Sequence, residues 1–508
     1  MSDYLKVVWP PGRGLFLILL LGYVALFFFL RLTLSGTAGT DDVEQAIFAQ
    51  NFDWGYNPGQ PPFYTWVLYG LFELFGPGVH TLSLLRYSLI FLTFFFLFLS
   101  LRHLLFEPRL VLLASFSPLL IYYVGWGAHM GFTHTALLSA SCMATFYAFL
   151  RLVEGGSWPA YLGFGLALGV GMMSKYSFPI FALGLIGAGL IQEKSRQHLL
   201  SIRLFVSLGL ALSLNLPPVL WIIDGFDSFQ AIFHRGMRVG VEVNYLQQVW
   251  AGLSRLVMAS IEFLMPLLVF LVLIFPQGIR PPTKRVDGAA FDCERLLGHF
   301  FIIVYALLAF GVLFAGISFF QARWMHPFLL LFPAFYFLRV ERAGLKPGQE
   351  RRFAGILVAL TLLAAVFWVV QAKIGAPLCK KCRFYEPYPV LAQSIAEAGF
   401  VKGTIVSADE HIGGNFRLAF PDSRVINVPY AYYSPPENQV AGQCLYVWNA
   451  REGLAPPAPL VQVLSEKLGV TALPASMTRI VEAQNPAARD RTLRLAFVLL
   501  PSGEGQCR

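Results

Sequence analysis

The sequence predicts an all-α polytopic membrane domain of about eleven transmembrane helices over residues 1–373, followed by a small α/β domain over residues 374–508. Three observations predict it. Only 13% of the 508 residues are charged and 56% are hydrophobic, whereas soluble domains carry roughly 25% charged residues, so much of the surface must meet lipid. Apolar runs, the first of them uncharged, recur along the first three quarters of the chain, and the last quarter is polar and punctuated by Pro, Gly and Cys. The net charge of +9 does not point to nucleic acid, because the basic residues gather in short gaps between apolar runs.

The runs fall at residues 14–30, 82–101, 110–126, 133–150, 160–174, 176–192, 204–223, 248–276, 297–319, 324–338 and 353–372. A helix needs roughly 17 to 25 such residues to cross the hydrocarbon, so some of these runs are short and some are merged. The first run follows Lys6 and Arg13 and precedes the small residues Ser35 to Gly39, as a secretory signal would. The ten later runs favour a retained anchor. Pro217 and Pro218 predict a kink in the seventh.

Cytoplasmic loops carry the excess of Lys and Arg. Lys6 and Arg13, Arg102 and Arg109, Arg151, Lys194 to Arg203, Arg280 to Arg295 and Arg339 to Arg352 occupy one set of gaps, which is therefore read as cytoplasmic together with the amino terminus. The first loop, residues 35–81, has no Lys or Arg but holds Asp41, Asp42, Glu44, Asp53 and Glu73. It faces outward, and with an odd number of spans so does the tail. For a bacterial chain this places the protein in the inner membrane with its carboxy-terminal domain in the periplasm.

Cysteine usage agrees with an oxidising compartment for the tail, where Cys379, Cys382, Cys444 and Cys507 predict one or two structural disulfides. Cys142 lies in an apolar run and Cys293 in a cytoplasmic gap. Within the tail, Tyr388 to Ala398 reads as helix, and Gly403 to Ser407, Ser423 to Val428, Cys444 to Val447 and Leu493 to Leu499 read as strands.

Six cations break the charge rule on the outer side: Arg31, Arg86, Lys175, Arg235, Arg238 and Arg323. A charge at the bilayer boundary is a functional hypothesis by default, since leaving it unpaired costs roughly 2.5–3.5 kcal/mol. Single members are explained by snorkelling or a salt bridge; converging, they form an anion pocket, and lipid-linked phosphate is the anion found at that depth. Glu262, inside the eighth run, is read either as an acceptor contact or as a partner for one of these arginines.

The first loop reads T-D-D-V-E-Q-A-I-F-A-Q-N-F-D-W-G-Y-N-P-G-Q-P-P-F-Y-T-W from Thr40 to Trp66. Thr40 is placed to cap a short helix with Val43, Ile47 and Phe48 on one face. Pro61 or Pro62 starts a second whose Trp66, Leu68 and Phe72 are predicted to lie on the membrane surface. A helix-capping charge is the plain explanation of the acid pair. Trp54, Tyr56 and Tyr64 are candidates for stacking on a sugar.

A first span, a paired acid about ten residues on, W-G-Y and Q-P-P-F-Y-T-W, then L-R-Y-S at 85–88, T-H-T at 133–135, M-S-K-Y at 173–176, His234 with Arg238, and R-W-M-H-P at 323–327 follow one another in order. This order resembles bacterial membrane glycosyltransferases related to the dolichyl-phosphate-mannose protein mannosyltransferases and to the aminoarabinose transferase of lipid A. The resemblance implies the glycosyltransferase C fold and inverting transfer of a sugar from a polyprenyl-phosphate carrier to a hydroxyl of lipid A, lipopolysaccharide core or another envelope glycan. By position Asp41 matches the family's base and Asp42 the acid that follows it. Lys175, Arg238, Arg86, Arg235 and Arg323 would face the lipid phosphate, and Trp54, Tyr56, Gln60, Tyr64 and His326 would contact sugar or acceptor. His234 is a candidate for metal or phosphate. In the aminoarabinose branch Glu and Lys precede the proline of the second helix. Here Gly59 and Gln60 stand there, so no cofactor is assigned and a divalent metal is doubtful. The Q-P-P-F-Y-T-W version resembles alphaproteobacterial transferases that add uronic acids and other sugars to lipopolysaccharide.

The competing class is a transporter or flippase of lipid-linked or anionic solutes. Such proteins show repeated halves and midplane charge, whereas here no repeat is visible and polar residues concentrate at one boundary. A protein O-glycosyltransferase differs only in its acceptor. A polysaccharide polymerase or ligase would place its large functional loop later in the chain.

Overall fold

The computed structural model describes residues 13–240, 244–279, 291–374, 383–440, 442–470, 473, 475–502 and 507. The chain begins with α1 (Arg13–Leu34), passes through two loop helices, α2 (Thr40–Phe48) and α3 (Phe63–Phe75), and re-enters the bundle as α4 (Val79–Leu104). There follow α5 (Pro108–Phe116), α6 (His134–Gly155), α7 (Trp158–Met172), α8 (Phe178–Ile191), α9 (Arg203–Asp224) and α10 (Phe226–Met237). The bundle closes with α11 (Tyr245–Leu264), α12 (Leu267–Ile274), α13 (Cys293–Phe314), α14 (Phe332–Ala343) and α15 (Gln349–Ile374).

Among the described residues six helices, α1, α4, α6, α9, α13 and α15, are long and apolar enough to cross a bilayer. Helix α1 shows the reason for its depth: Phe16, Leu20, Tyr23, Phe27 and Arg31 form one buried stripe at helical spacing while Leu15, Ile18, Leu19, Leu21 and Phe29 are exposed. The remaining apolar runs are short or broken, in keeping with the short and merged runs read from the sequence. Residues 110–126 become α5 and two single turns divided near Pro118, the 248–276 run splits into α11 and α12 at Pro266, and the 324–338 run is a single turn at His326–Leu329 followed by α14. A proline supplies no N–H for a continuing helix. Helix α9, by contrast, runs through both Pro217 and Pro218.

The tail contributes α16 (Tyr388–Glu397), β1 (Gly403–Ser407), α17 (Glu410–Ala419), β2 (Arg424–Asn427), β3 (Gln443–Asn449), α18 (Ala458–Leu468), β4 (Arg479–Asn485) and β5 (Ala488–Leu500). The sheet order is β2-β1-β3-β5-β4, with β1 parallel to β2 and β3, and β5 antiparallel to β3 and β4. Alternate residues serve opposite faces: Ile405, Val425, Leu445 and Phe497 on one, Val406, Ile426, Tyr446 and Val498 on the other. A disulfide joins Cys444 of β3 to Cys507. Cys379 and Cys382 lie outside the described residues, and Cys142 and Cys293 are free thiols.

This domain is fastened onto the first loop. Asn415 of α17 accepts from the Ala38 N–H at 2.8 Å, the Gln50 amide pairs with both backbone groups of Val425 at 2.7 and 3.0 Å, and Tyr433 donates to the Phe48 carbonyl at 3.0 Å. Val43 of α2 packs on the bare backbone of Gly414, where a Cβ would collide with the Val43 side chain and carbonyl. We predict that Gly414→Val, by overpacking this junction, costs about 1–3 kcal/mol, seen as a lowered melting temperature of the detergent-solubilised protein.

Candidate active site

Arg31 ends α1 by donating to the Ser35 and Thr37 carbonyls, both at 2.7 Å, and so turns the chain into α2. Gly39, not Thr40, takes the cap position. With about 100° between successive residues, the nine residues of α2 present three working faces. Val43 and Ile47 meet α17. Asp42 and Gln45 turn toward the membrane helices, Asp41 toward the Arg323 and Lys175 charges, and Glu44 toward Asn57.

Asp42 forms an ion pair with Arg86 of α4, each about 1% exposed, and Arg86 also reaches the His129 carbonyl at 3.4 Å. Arg86, expected at the phosphate, is instead committed to Asp42, because two buried charges so close neutralise one another. Gln45 links the His134 ring at 3.1 Å to the Thr65 hydroxyl at 2.6 Å. The second Asp42 oxygen and the Tyr64 hydroxyl are buried without a partner among the described residues.

Asp41 is half-buried and receives no hydrogen bond from a described residue. Burial pushes its carboxyl up to about 6, against the pull of the Arg323 and Lys175 charges that face it. Burial lowers the Lys175 ammonium to about 8, with Asp41 opposing and Arg323 assisting. Lys175, in the turn between α7 and α8, donates to Thr135 at 2.9 Å. Arg323, exposed on the turn after α13, is steered by Gln321 at 2.6 Å. Burial and the neighbouring Asp41 raise Glu44 to about 7, while a 2.7 Å hydrogen bond from Asn57 holds it back. The structure thus sets the Asp41 carboxylate and the Lys175 and Arg323 cations within electrostatic reach of one another, with no ion pair made by any of the three among the described residues.

The other expected contacts are distributed differently. Arg235 and His234 are exposed on α10, which has no buried residue. Arg238 stacks on Phe319, its guanidinium carbon 4.4 Å from the ring centre. Tyr56 is buried, donating to the Asn51 carbonyl at 2.9 Å, so its ring supports the loop. Trp54 remains exposed beside Trp66 and Phe52. Gln60 closes a tight turn with Asn57 and buries its side-chain carbonyl. His326 is buried, 3.4 Å from the Ser139 hydroxyl. Leu68 and Phe72, expected on the membrane surface, are buried against α4 and α6, and Trp66 is half-buried. Gly55 of W-G-Y is required because the Trp221 ring lies flat against it, leaving no room for a Cβ. Sequence reasoning missed Arg255 of α11, which also stacks on Phe319, at 5.2 Å. Its signal was an ionisable residue inside an apolar run.

No group of three or more His, Cys, Asp or Glu side chains able to hold a metal occurs among the described residues. His234 stands exposed on α10 with no such cluster beside it among the described residues, and no step is derived through a metal. Beside the acid pair a groove of about 1190 Å³ runs between α3, α4, α6 and α7, from Phe63 and Tyr64 to Arg151 and Glu154. Its walls are mainly apolar, including Leu85, Leu89, Phe96, Leu137 and Leu166.

A bundle of membrane helices with an unpaired carboxylate facing cations at the boundary, under a docked α/β domain, has the layout of a membrane-embedded transferase. Residues 59–221 match the family model described as dolichyl-phosphate-mannose-protein mannosyltransferase. The chain is 28% identical over 464 residues to the lipopolysaccharide core galacturonosyltransferase RgtB of Rhizobium johnstonii, covering 90% of this chain and 92% of the relative. It is also 28% identical over 448 residues to RgtA of the same organism, covering 86% of each. The fold is shared with the crystal structure of ArnT from Cupriavidus metallidurans bound to undecaprenyl phosphate, with a TM-score of 0.60 and 14% identity over 95% of this chain and 98% of that one. The chain is a membrane glycosyltransferase with the glycosyltransferase C fold.

Two outcomes follow from this geometry. Arg86→Ala strands Asp42 as an uncompensated buried charge, which costs about 3–5 kcal/mol; thermal unfolding should show a large loss, whereas Asp41→Asn leaves the melting temperature nearly unchanged. A base must be ionised and a phosphate cation charged, so kcat/KM should fall as pH drops below about 6 and again as pH rises above about 8. Lys175→Arg should extend the plateau on the alkaline side.

Proposed function

We propose that this protein transfers a uronic acid from a polyprenyl-phosphate carrier to a hydroxyl of a lipopolysaccharide core acceptor at the periplasmic face of the bacterial inner membrane, with its amino terminus in the cytoplasm. The observation that carries the proposal is the meeting of Asp41 with Lys175 and Arg323. Asp41 accepts the proton of the acceptor hydroxyl, whose oxygen forms the new bond to the anomeric carbon. The bond from that carbon to the phosphate oxygen breaks, and its electron pair leaves on the polyprenyl phosphate. Direct displacement of this kind inverts the anomeric centre. Lys175 and Arg323 stabilise the charge gathering on the leaving phosphate through charge-assisted hydrogen bonds. Arg86 holds Asp42, and through it α2, at a fixed distance from those cations.

The names of the galacturonosyltransferase relatives support the sugar and acceptor class, and the undecaprenyl phosphate bound to ArnT supports the carrier. The apolar groove beside Tyr64 supports entry of a hydrocarbon chain sideways from the bilayer. The test is transfer by purified protein from a synthetic polyprenyl-phospho-uronate to isolated lipopolysaccharide core, read by mass spectrometry as one added uronic acid. Asp41→Asn should lower kcat by about 10²–10⁴, and a variant with undiminished turnover would remove Asp41 as the base.

A further inference from the structure

Arg255 lies ten residues after the start of the 20-residue helix α11, about 15 Å along its axis. A guanidinium set in an apolar run pairs with a carboxylate or faces a polar cavity. Its Nε atom is buried without a hydrogen-bond partner, and no carboxylate of the described residues pairs with it. Beside it, residues 315–321 form no helix. Gln248 of α11 ties this stretch down by donating to the Val312 carbonyl at 2.7 Å and the Ile317 carbonyl at 3.3 Å.

Arg238 completes the arrangement. It occupies the left-handed region at φ 51°, where the residue ending a helix is ordinarily Gly. Its carbonyl accepts from Ser318 at 2.9 Å, and its guanidinium joins that of Arg255 on the Phe319 ring. Phe319 in turn contacts Trp324, the neighbour of Arg323. One strip of chain therefore carries two cation groups: Arg323 with Lys175 facing Asp41, and Arg238 with Arg255 on Phe319.

We infer that Arg238 and Arg255, stacked on Phe319, seat the carboxylate of the transferred sugar. The inference rests on the transferase proposed above and specifies how that site selects its sugar. A uronosyl phosphate donor carries two anionic groups, and the two cation groups correspond to them. The guanidinium fork matches a carboxylate in two parallel hydrogen bonds, and stacking on an aromatic ring fixes its plane in advance.

The experiment compares two donors on the same polyprenyl phosphate, identical except that the sugar bears either a carboxylate or a hydroxymethyl group at its terminal carbon. Wild-type protein should favour the uronate in kcat/KM. Arg255→Gln should reduce that preference by about 10- to 100-fold, the worth of one charge-assisted hydrogen bond, with Arg255→Lys intermediate. Lys175→Gln should lower transfer from both donors in equal proportion. If Arg255→Gln does not fold, Phe319→Leu, which removes the shared ring, should lower the same ratio. An unchanged ratio in the Arg255 and Phe319 variants, or a wild type indifferent to the carboxylate, overturns the inference while leaving transfer intact. Failure of the wild type to transfer either sugar overturns the transferase proposal itself.

Discussion

The ion pair between Asp42 and Arg86 is the constraint on which the site depends. A nine-residue helix such as α2 is far too short to persist alone, and it must be held from outside. The membrane helices hold it by charge, since Arg86 rises from the buried face of α4 into a place where, among the described residues, Asp42 is the carboxylate that neutralises it. The carboxy-terminal domain holds it by close packing on Gly414 and by the hydrogen bonds of Asn415, Gln50 and Tyr433. Breaking either hold frees the helix to rotate.

That double hold explains how adjacent aspartates take different parts. A helical step of about 100° sends Asp42 into the protein and Asp41 sideways. Asp42 gives up its availability for a fixed partner. Asp41, half-buried but without a hydrogen bond from any described residue, keeps its lone pairs free. In the proposed role as base, burial that disfavours its charge makes it accept a proton from a hydroxyl more readily than a carboxylate in water does. The buried Arg86 also keeps Asp42 from adding its full repulsion to Asp41.

Much of this was legible in the sequence, and the limits have physical causes. Charges stand out in so apolar a chain, which is why Asp41, Asp42, Lys175 and Arg323 were visible before their geometry. Arg86 was visible too, but not its partner, because pairing is a matter of register between α4 and a loop forty residues away. Arg255 escaped because it sits within a long apolar run beside the more conspicuous Glu262. Leu68 and Phe72 were assigned to the membrane because in a membrane protein an apolar helix face has two apolar destinations, lipid and core, and periodicity does not separate them. In the tail, β4 was missed because its residues alternate poorly and are mostly exposed. The Gly413-Gly414 pair carried no sign of what would press against it.

The bond between Ala38 and Asn415 spans 377 residues, and this separation sets an order of events during biosynthesis. The ribosome delivers the loop bearing the acid pair well before the domain that steadies it. Until that domain emerges the nascent chain holds a helix without its support, and Cys444 waits a further 63 residues for Cys507. The support of α2 is therefore completed only after the intervening membrane helices have been made.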